Sequence, residues 1–251
     1  DHYEDLQEIY SQFGQFISLV PDGGPVVVWA DDERLVEVAR AHASNVITYG
    51  MGADADAQVV EVVRDGIASR FTLRLPSGRE VTSTIQQNPG IHNVLNGAAT
   101  LVMADALGED VDVAARALAG FTGVRRRFDL VGRVGEVDVV DDYAHHPTEI
   151  AATIEAAKDL DYGQVHVVFQ PHRYSRAKLF TEVLHDEFGS AFDGADTVTF
   201  MDVYPAGETP IPGISGKTFL NVVLDHEGHP AAEFVPRRLE VPAHVASLAK
   251  P

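Results

Sequence analysis

The stretch "GEVDVVDDYAHHPTEIAATIEAAKDL", Gly135 to Leu160, decides the fold of the second half of this chain. It opens with valines interleaved with acids, the pattern of a short strand. Pro147 then suits the first turn of a helix, where its missing N–H costs nothing, and the residues after it have helical spacing. The same strand–helix unit recurs downstream. "QVHVVFQ" precedes "RAKLFTEVLHDEF", "ADTVTFMDV" precedes "GKTFLNVVLDH" across a long loop, and "AEFVP" precedes "VPAHVASLAK". Strands separated by helices imply right-handed crossovers and a parallel sheet covered on both faces.

The first half also alternates. "PVVVWA" reads as a buried strand and "DDERLVEVARAHA" as a helix; "NVITYG" and "AQVVEVV" are further strands. "SRFTLRLPSGREVTSTI" is a hairpin turning at Pro76-Ser77-Gly78. "IHNVLNGAATLVMADALG" is a long apolar helix ending at Gly108, and "DVAARALAG" is a second one. The boundary is expected near "FTGVRRRFDLVG". Residues 1–124 then form one α/β domain and residues 125–251 a Rossmann-like parallel-sheet domain. Within the latter, residues 135–144 are the first strand and residues 176–188 a single helix.

Composition narrows the function. Lys and Arg number 19 against 38 Asp and Glu, a net charge of −19. Nucleic acid and anionic membrane need basic surface, so neither is expected as a main partner. A nucleotide stays possible, because a few local cations and helix N-termini suffice to hold a polyphosphate. With no cysteine there are no disulfides or thiolate metal sites. No apolar run reaches the roughly 18 residues of a membrane span. A soluble, cytoplasmic protein is expected.

In open parallel sheets, ligands bind beyond the carboxyl ends of the strands. "DDYAHH", "PHRYSR" and "YPAGETP" each follow a strand, so the three are expected to converge on one edge. In the first, Asp142, Tyr143 and His145 are candidate ligand contacts, whereas Pro147, Thr148 and Glu149 read equally well as a helix entrance. His145 and His146 as a metal pair are disfavoured, since adjacent side chains diverge. In the second, His172, Arg173 and Arg176 form either a local anion site or solvated charges at a helix start. Arg125–Arg127 is the chain's one run of three basic residues. It is either solvated surface or a phosphate contact. Asn93 and Asn96 lie three apart on one helical face, beside His92, and their amides suit a purine edge. Capping is the alternative for Asn93. "PGISGKTF" imitates a phosphate loop, but Ile211 stands where the motif needs its first glycine. It reads as a turn into a helix.

Together and in this order, "GIHNVLNGAA", "GVRRRFDLVG", "DDYAHHPTE", "FQPHRYSR" and "DVYPAGETPIPG" resemble the Mur ligases of peptidoglycan synthesis, from Asp1 to Pro251. The resemblance implies the later part of a central ATPase domain, without its phosphate loop, followed by the C-terminal Rossmann-like domain without its final strand. It also implies ATP-driven chemistry: a muramyl carboxylate becomes an acyl phosphate, and an amino acid's amine displaces phosphate. Within the family, the residues are most similar to members that join L-alanine to UDP-N-acetylmuramate. Members that recycle murein tripeptide are the nearest alternative. Carried over, ATP is held by His92, Asn93 and Asn96 at the adenine, Arg127 across the hinge and Asp142 at the ribose. Tyr143, His145, His172, Arg173 and Arg176 line the side where substrates meet. Arg127, His145 and His172 are the catalytic candidates, and His2 is a magnesium ligand. Ile91 and Ala144 replace an arginine and a glycine frequent in the pattern, and Ala144 is shared with the recycling members. "QPHRYSR" departs from the "E-P-R-S" of those members. Lacking the phosphate-loop lysine, the 251 residues alone are expected to be inactive, and a non-catalytic binding remnant is the other reading.

Overall fold

In the computed structural model, Tyr3 and residues 5–249 are described. The chain divides into two compact units, Asp1–Val124 and Arg125–Pro251. The first holds a five-stranded sheet in the order β1 (Pro25–Trp29), β2 (Asn45–Gly50), β3 (Ala57–Asp65), β4 (Ala68–Arg74) and β5 (Glu80–Ile85). β1, β2 and β3 pair in parallel, and β3, β4 and β5 form an antiparallel meander. Helices α1 (Leu6–Ile17) and α2 (Glu33–His42) start at aspartate caps, where Asp5 and Asp32 accept from Glu8 N and Leu35 N, each at 2.8 Å. Helices α3 (Ile91–Ala106) and α4 (Val111–Ala119) follow the sheet. α3 buries Val94, Ala98, Leu101 and Val102 in one cluster with Phe71, Leu73 and Leu75 of the meander. The helix comes so close that a Cβ added at Gly97 would lie 2.9 Å from Ile85 Cδ1. The apolar side of α3 is thereby committed to the core. Asn93 and Asn96 are left on the other side.

The second unit opens with a hairpin, β6 (Asp129–Val134) and β7 (Val137–Asp141). α5 (Pro147–Lys158), β8 (His166–Phe169), α6 (Ser175–Lys178), a π-helical turn (Leu179–Val183) and α7 (His185–Ser190) come next. β9 (Thr197–Phe200), α8 (Gly216–Asp225), β10 (Ala231–Phe234) and α9 (Val241–Leu248) complete it. The parallel sheet has the order β10-β9-β8, so the expected α/β class with parallel strands holds. Its core is aromatic. Phe169 meets Phe188, Phe192 and Phe200 edge-on at 5.4–5.8 Å between centroids, the geometry ring quadrupoles favour.

Two expectations are corrected. Residues 135–144 do not open the parallel sheet: β7 pairs with β6, antiparallel, around a two-residue turn in which Gly135 has φ 60. Such turns need a left-handed residue, and Gly135, directly after Val134, supplies it. The single helix over 176–188 is also broken. Leu184 N donates to Leu179 O at 2.8 Å, an i→i+5 bond that widens the turn. Phe180 thereby stacks on Phe188 at 5.1 Å and meets Phe219 edge-on. Core packing of that ring outweighs regular helix geometry. The false phosphate loop is indeed a helix entrance, with Ser215 at the N-cap position and its N–H donating to Thr218 Oγ1 at 3.0 Å. A Cβ at Gly216 would sit 1.9 Å from Met201 O, so this glycine serves close packing of α8 on the end of β9.

Candidate functional site

In the first unit, α3 starts at Gly90, whose φ of 103 favours glycine and which has no side chain to cap the helix. Asn93 is thus not the cap. Its Nδ2 donates to Pro89 O at 3.0 Å and lies 2.9 Å from His92 Nε2. Its Oδ1 stays open for another donor. Asn96 is exposed, and its amide has no hydrogen bond among the described residues. Solvation therefore accounts for a polar residue on this apolar helix, and leaves both a donor and an acceptor presented outward.

In the second unit, the chain twists twice on its way into β6: Arg126 and Phe128 have φ of 62 and 48. Asp142 holds this turn. Its Oδ2 accepts from Phe128 N and its Oδ1 from Ala144 N, both at 2.7 Å, so each oxygen keeps one further acceptor site. Tyr143 N donates to Arg126 O at 2.9 Å, and the Arg126 guanidinium lies 4.9 Å above the Tyr143 ring. His145 turns its Nδ1 to Tyr143 O at 3.0 Å. A carbonyl only accepts, so Nδ1 carries hydrogen and Nε2 of the neutral ring is the free acceptor.

Glu149 is the hub of this turn. Its Oε2 accepts from His145 N and His146 N at 3.1 and 3.2 Å, and its Oε1 is 3.9 Å from Arg127. Burial pushes its pKa up. The two backbone donors and the nearby His145 and Arg127 more than offset that, so it lies below the usual glutamate range. Sequence reading missed this role, because an acid in a helix's first turn looks like an ordinary dipole partner. Pro147 is buried at the first helical position, as expected of a helix entrance.

Beyond β8 the chain makes one more parallel bridge, His172 to Tyr204. The two rings stack at 5.6 Å and 21°. His172 Nδ1 is buried with no hydrogen-bond partner among the described residues. Burial lowers the pKa of this ring, and Arg176, Arg173 and His145 lower it further against the pull of Glu208. His146 is lowered by burial too, with His145 and Arg176 adding repulsion that Glu149 opposes. His145 thus acts on both rings, and so does Arg176. The "DDYAHH" and "PHRYSR" clusters share one place within this unit, and Tyr204 brings the third cluster to it. The result is a cationic patch in a chain of net charge −19, suited to a carboxylate or phosphate.

His2 lies outside the described residues. Among those described, no group of three or more His, Cys, Asp or Glu could hold a metal ion, and no helix is long and apolar enough to cross a membrane.

Comparison with known proteins gives concordant matches. Residues 1–104 match the family model of the Mur ligase middle domain, and residues 126–251 that of the Mur ligase glutamate ligase domain. The UDP-N-acetylmuramate–L-alanine ligase of Thermobifida fusca is 40% identical over 263 residues, covering 100% of this chain and 53% of that relative. Its counterpart from Acidothermus cellulolyticus is 40% identical over 255 residues, covering 100% and 52%. Among solved structures, the UDP-N-acetylmuramate–alanine ligase of Thermotoga maritima superposes with a TM-score of 0.71 at 26% identity, covering 96% of this chain and 49% of that one. The chain spans about half the length of the curated relatives it matches.

Proposed function

The chain belongs to the Mur ligase family, and on that premise we propose that it is part of an enzyme joining L-alanine to the carboxylate of UDP-N-acetylmuramate at the expense of ATP. The relatives that carry this activity in their names support the choice of substrates. Within the structure, the reading rests on the patch of His145, His172, Arg173 and Arg176.

In this reading residues 1–124 are the later part of the central ATPase domain and residues 125–251 the C-terminal domain. Asn93 and Asn96 hold the adenine edge, a role that suits the outward amide of Asn96. Asp142 accepts from ribose hydroxyls with the acceptor capacity its two backbone donors leave. Arg127 contacts the nucleotide phosphates. ATP supplies the phosphoryl group that makes the muramyl carboxylate reactive.

Arg173 and Arg176 take the amino acid's carboxylate, a pairing for which the guanidinium fork is suited. The alanine must attack as a neutral amine. His145 accepts the ammonium proton at Nε2, the nitrogen its Tyr143 contact leaves open. His172, whose pKa burial lowers and Arg176 and Arg173 lower further, offers a second imidazole ring beside the attacking amine. Tyr143, exposed beside His145, lines the substrate side. Magnesium enters the proposal only through His2.

The test is phosphate release from ATP and UDP-N-acetylmuramate, with L-alanine compared against murein tripeptide. It uses the longest natural form of the protein that contains these residues, with the 251-residue chain beside it. Release stimulated by L-alanine in the longer form is expected, and none from the 251 residues alone. Stimulation by tripeptide instead would assign the chain to the recycling ligases. No release with either acceptor would leave a non-catalytic binding protein.

A further inference from the structure

The "YPAGE" segment, Tyr204 to Glu208, has no role in the chemistry above, yet it is bound tightly to the residues that do. Tyr204 N donates to Pro171 O at 2.8 Å, and Arg173 N donates to Tyr204 O at 2.9 Å. Arg173 has φ 72, a left-handed conformation unfavourable for a residue with a long side chain, so outside contacts must hold it there. The Tyr204 carbonyl is one such contact, and burial of the next residue, Tyr174, is another.

Glu208 is the third. Its Oε1 accepts from Ser175 Oγ at 2.7 Å and its Oε2 from Ser175 N at 3.0 Å. Those two Ser175 bonds, with a further donor in Tyr174 N and the nearby Arg173, keep the carboxyl below the usual glutamate range. The segment is shaped to deliver this carboxylate. Ala206 and Gly207 have φ of 49 and 86, and Glu208 N donates back to Pro205 O at 3.0 Å, closing a tight turn. With both its oxygens engaged by Ser175, Glu208 is ill placed to act as a base. It grips the chain between Arg173 and Arg176.

We propose that Glu208 is a positioning residue: by clamping Ser175 it sets the directions of Arg173 and Arg176, and thereby the affinity for the incoming amino acid's carboxylate. This rests on the assignment of the arginine pair above. Two bonds from the backbone and the hydroxyl of one residue to a single carboxylate fix orientation far better than packing of an exposed loop would. Losing it would leave the guanidinium groups in place on average but misdirected, and an ångström of misplacement is costly to a reacting complex.

The test measures KM for L-alanine, ATP and UDP-N-acetylmuramate, with kcat and melting temperature, in the longest natural form of the protein. Glu208→Ala is expected to raise the alanine KM about 10- to 100-fold while the other two KM values stay within about two-fold. Glu208→Gln keeps one acceptor oxygen and should fall between Glu208→Ala and wild type, and Ser175→Ala should lose part of the effect. Arg176→Ala is the control for the site itself. If Arg176→Ala raises the alanine KM and Glu208→Ala does not, the clamp is wrong and the site stands. An unchanged alanine KM in Arg176→Ala overturns the site, and the clamp's role with it. If Glu208→Ala does not fold, Glu208→Gln decides: an alanine KM equal to wild type overturns the clamp, and a selective rise supports it.

Discussion

His172 has its Nδ1 buried and its ring stacked on Tyr204, and it lies near Arg176, Arg173 and His145 with one carboxylate, Glu208, opposing them. Its folded pKa is therefore expected below the 6.5 of an ordinary histidine, readable as ring chemical shifts against pH. The sign follows. The unfolded chain takes up the proton first, so the neutral ring's contribution to stability is full above about 6.5 and declines as pH falls below it. A ring titrating at or above 6.5 would contradict the packing. Asn96 offers the opposite case. Asn96→Ala should change stability by less than about 0.5 kcal/mol, since the residue is exposed and unbonded. Nucleotide affinity should nevertheless drop, and calorimetric titration with ADP in the longest natural form would show it; an unchanged affinity removes Asn96 from the site. At this scale the clusters were legible because basic and imidazole groups stand out in an acidic chain. Glu149 and Glu208 were not. Acids are everywhere here, and only their bonded partners distinguish them.

Among the elements, the β6–β7 hairpin is fastened by Asp138, which takes hydrogen bonds from Arg133 and from Tyr162 Oη, the latter at 2.6 Å. The Arg133 bond, then the Tyr162 bond, bring the Asp138 pKa down to about 2, while burial and then Asp138 push Tyr162 up to about 12. A depressed carboxyl stabilises the fold above its unfolded value of 3.8 and loses that contribution as pH falls toward about 2. The raised tyrosine contributes below 10 and loses it as pH climbs toward about 12. Asp138→Asn should flatten both limbs of a melting-temperature profile, and limbs as steep as wild type would dismiss the pair. For α8, Gly216→Ala forces a Cβ onto Met201 O and should cost about 1–3 kcal/mol or more in denaturant unfolding. A neutral effect would mean that the helix simply shifts. The hairpin was legible in principle: Gly135 sits between two valine-rich runs, but the helix after β7 made a parallel strand look the simpler choice. The π-helical turn was not legible, because its cause is the distant rings of Phe188 and Phe219.

For the whole molecule, a charge of −19 on 251 residues sets up self-repulsion that the folded state bears more heavily than the extended chain. Raising monovalent salt from about 0.01 to 0.15 M shortens the Debye length from about 30 to 8 Å. The melting temperature should rise over that range, and a fall would show that local pairs such as Arg79–Asp112 outweigh the net field. By itself, the sequence determined the α/β class, the alternation of strands and helices, the cationic clusters and the family. These depend on local periodicity and on residue types that are rare in this background. Tertiary structure alone decided which strands pair, why Gly216 must be glycine, that Asp142 and Glu149 hold the turns on which the candidate residues stand, and that the "YPAGE" segment grips Ser175. Most of those depend on atoms brought together from well-separated positions in the chain, and the short bonds of Asp142 and Glu149 depend on how the backbone turns; spacing along the sequence carries neither.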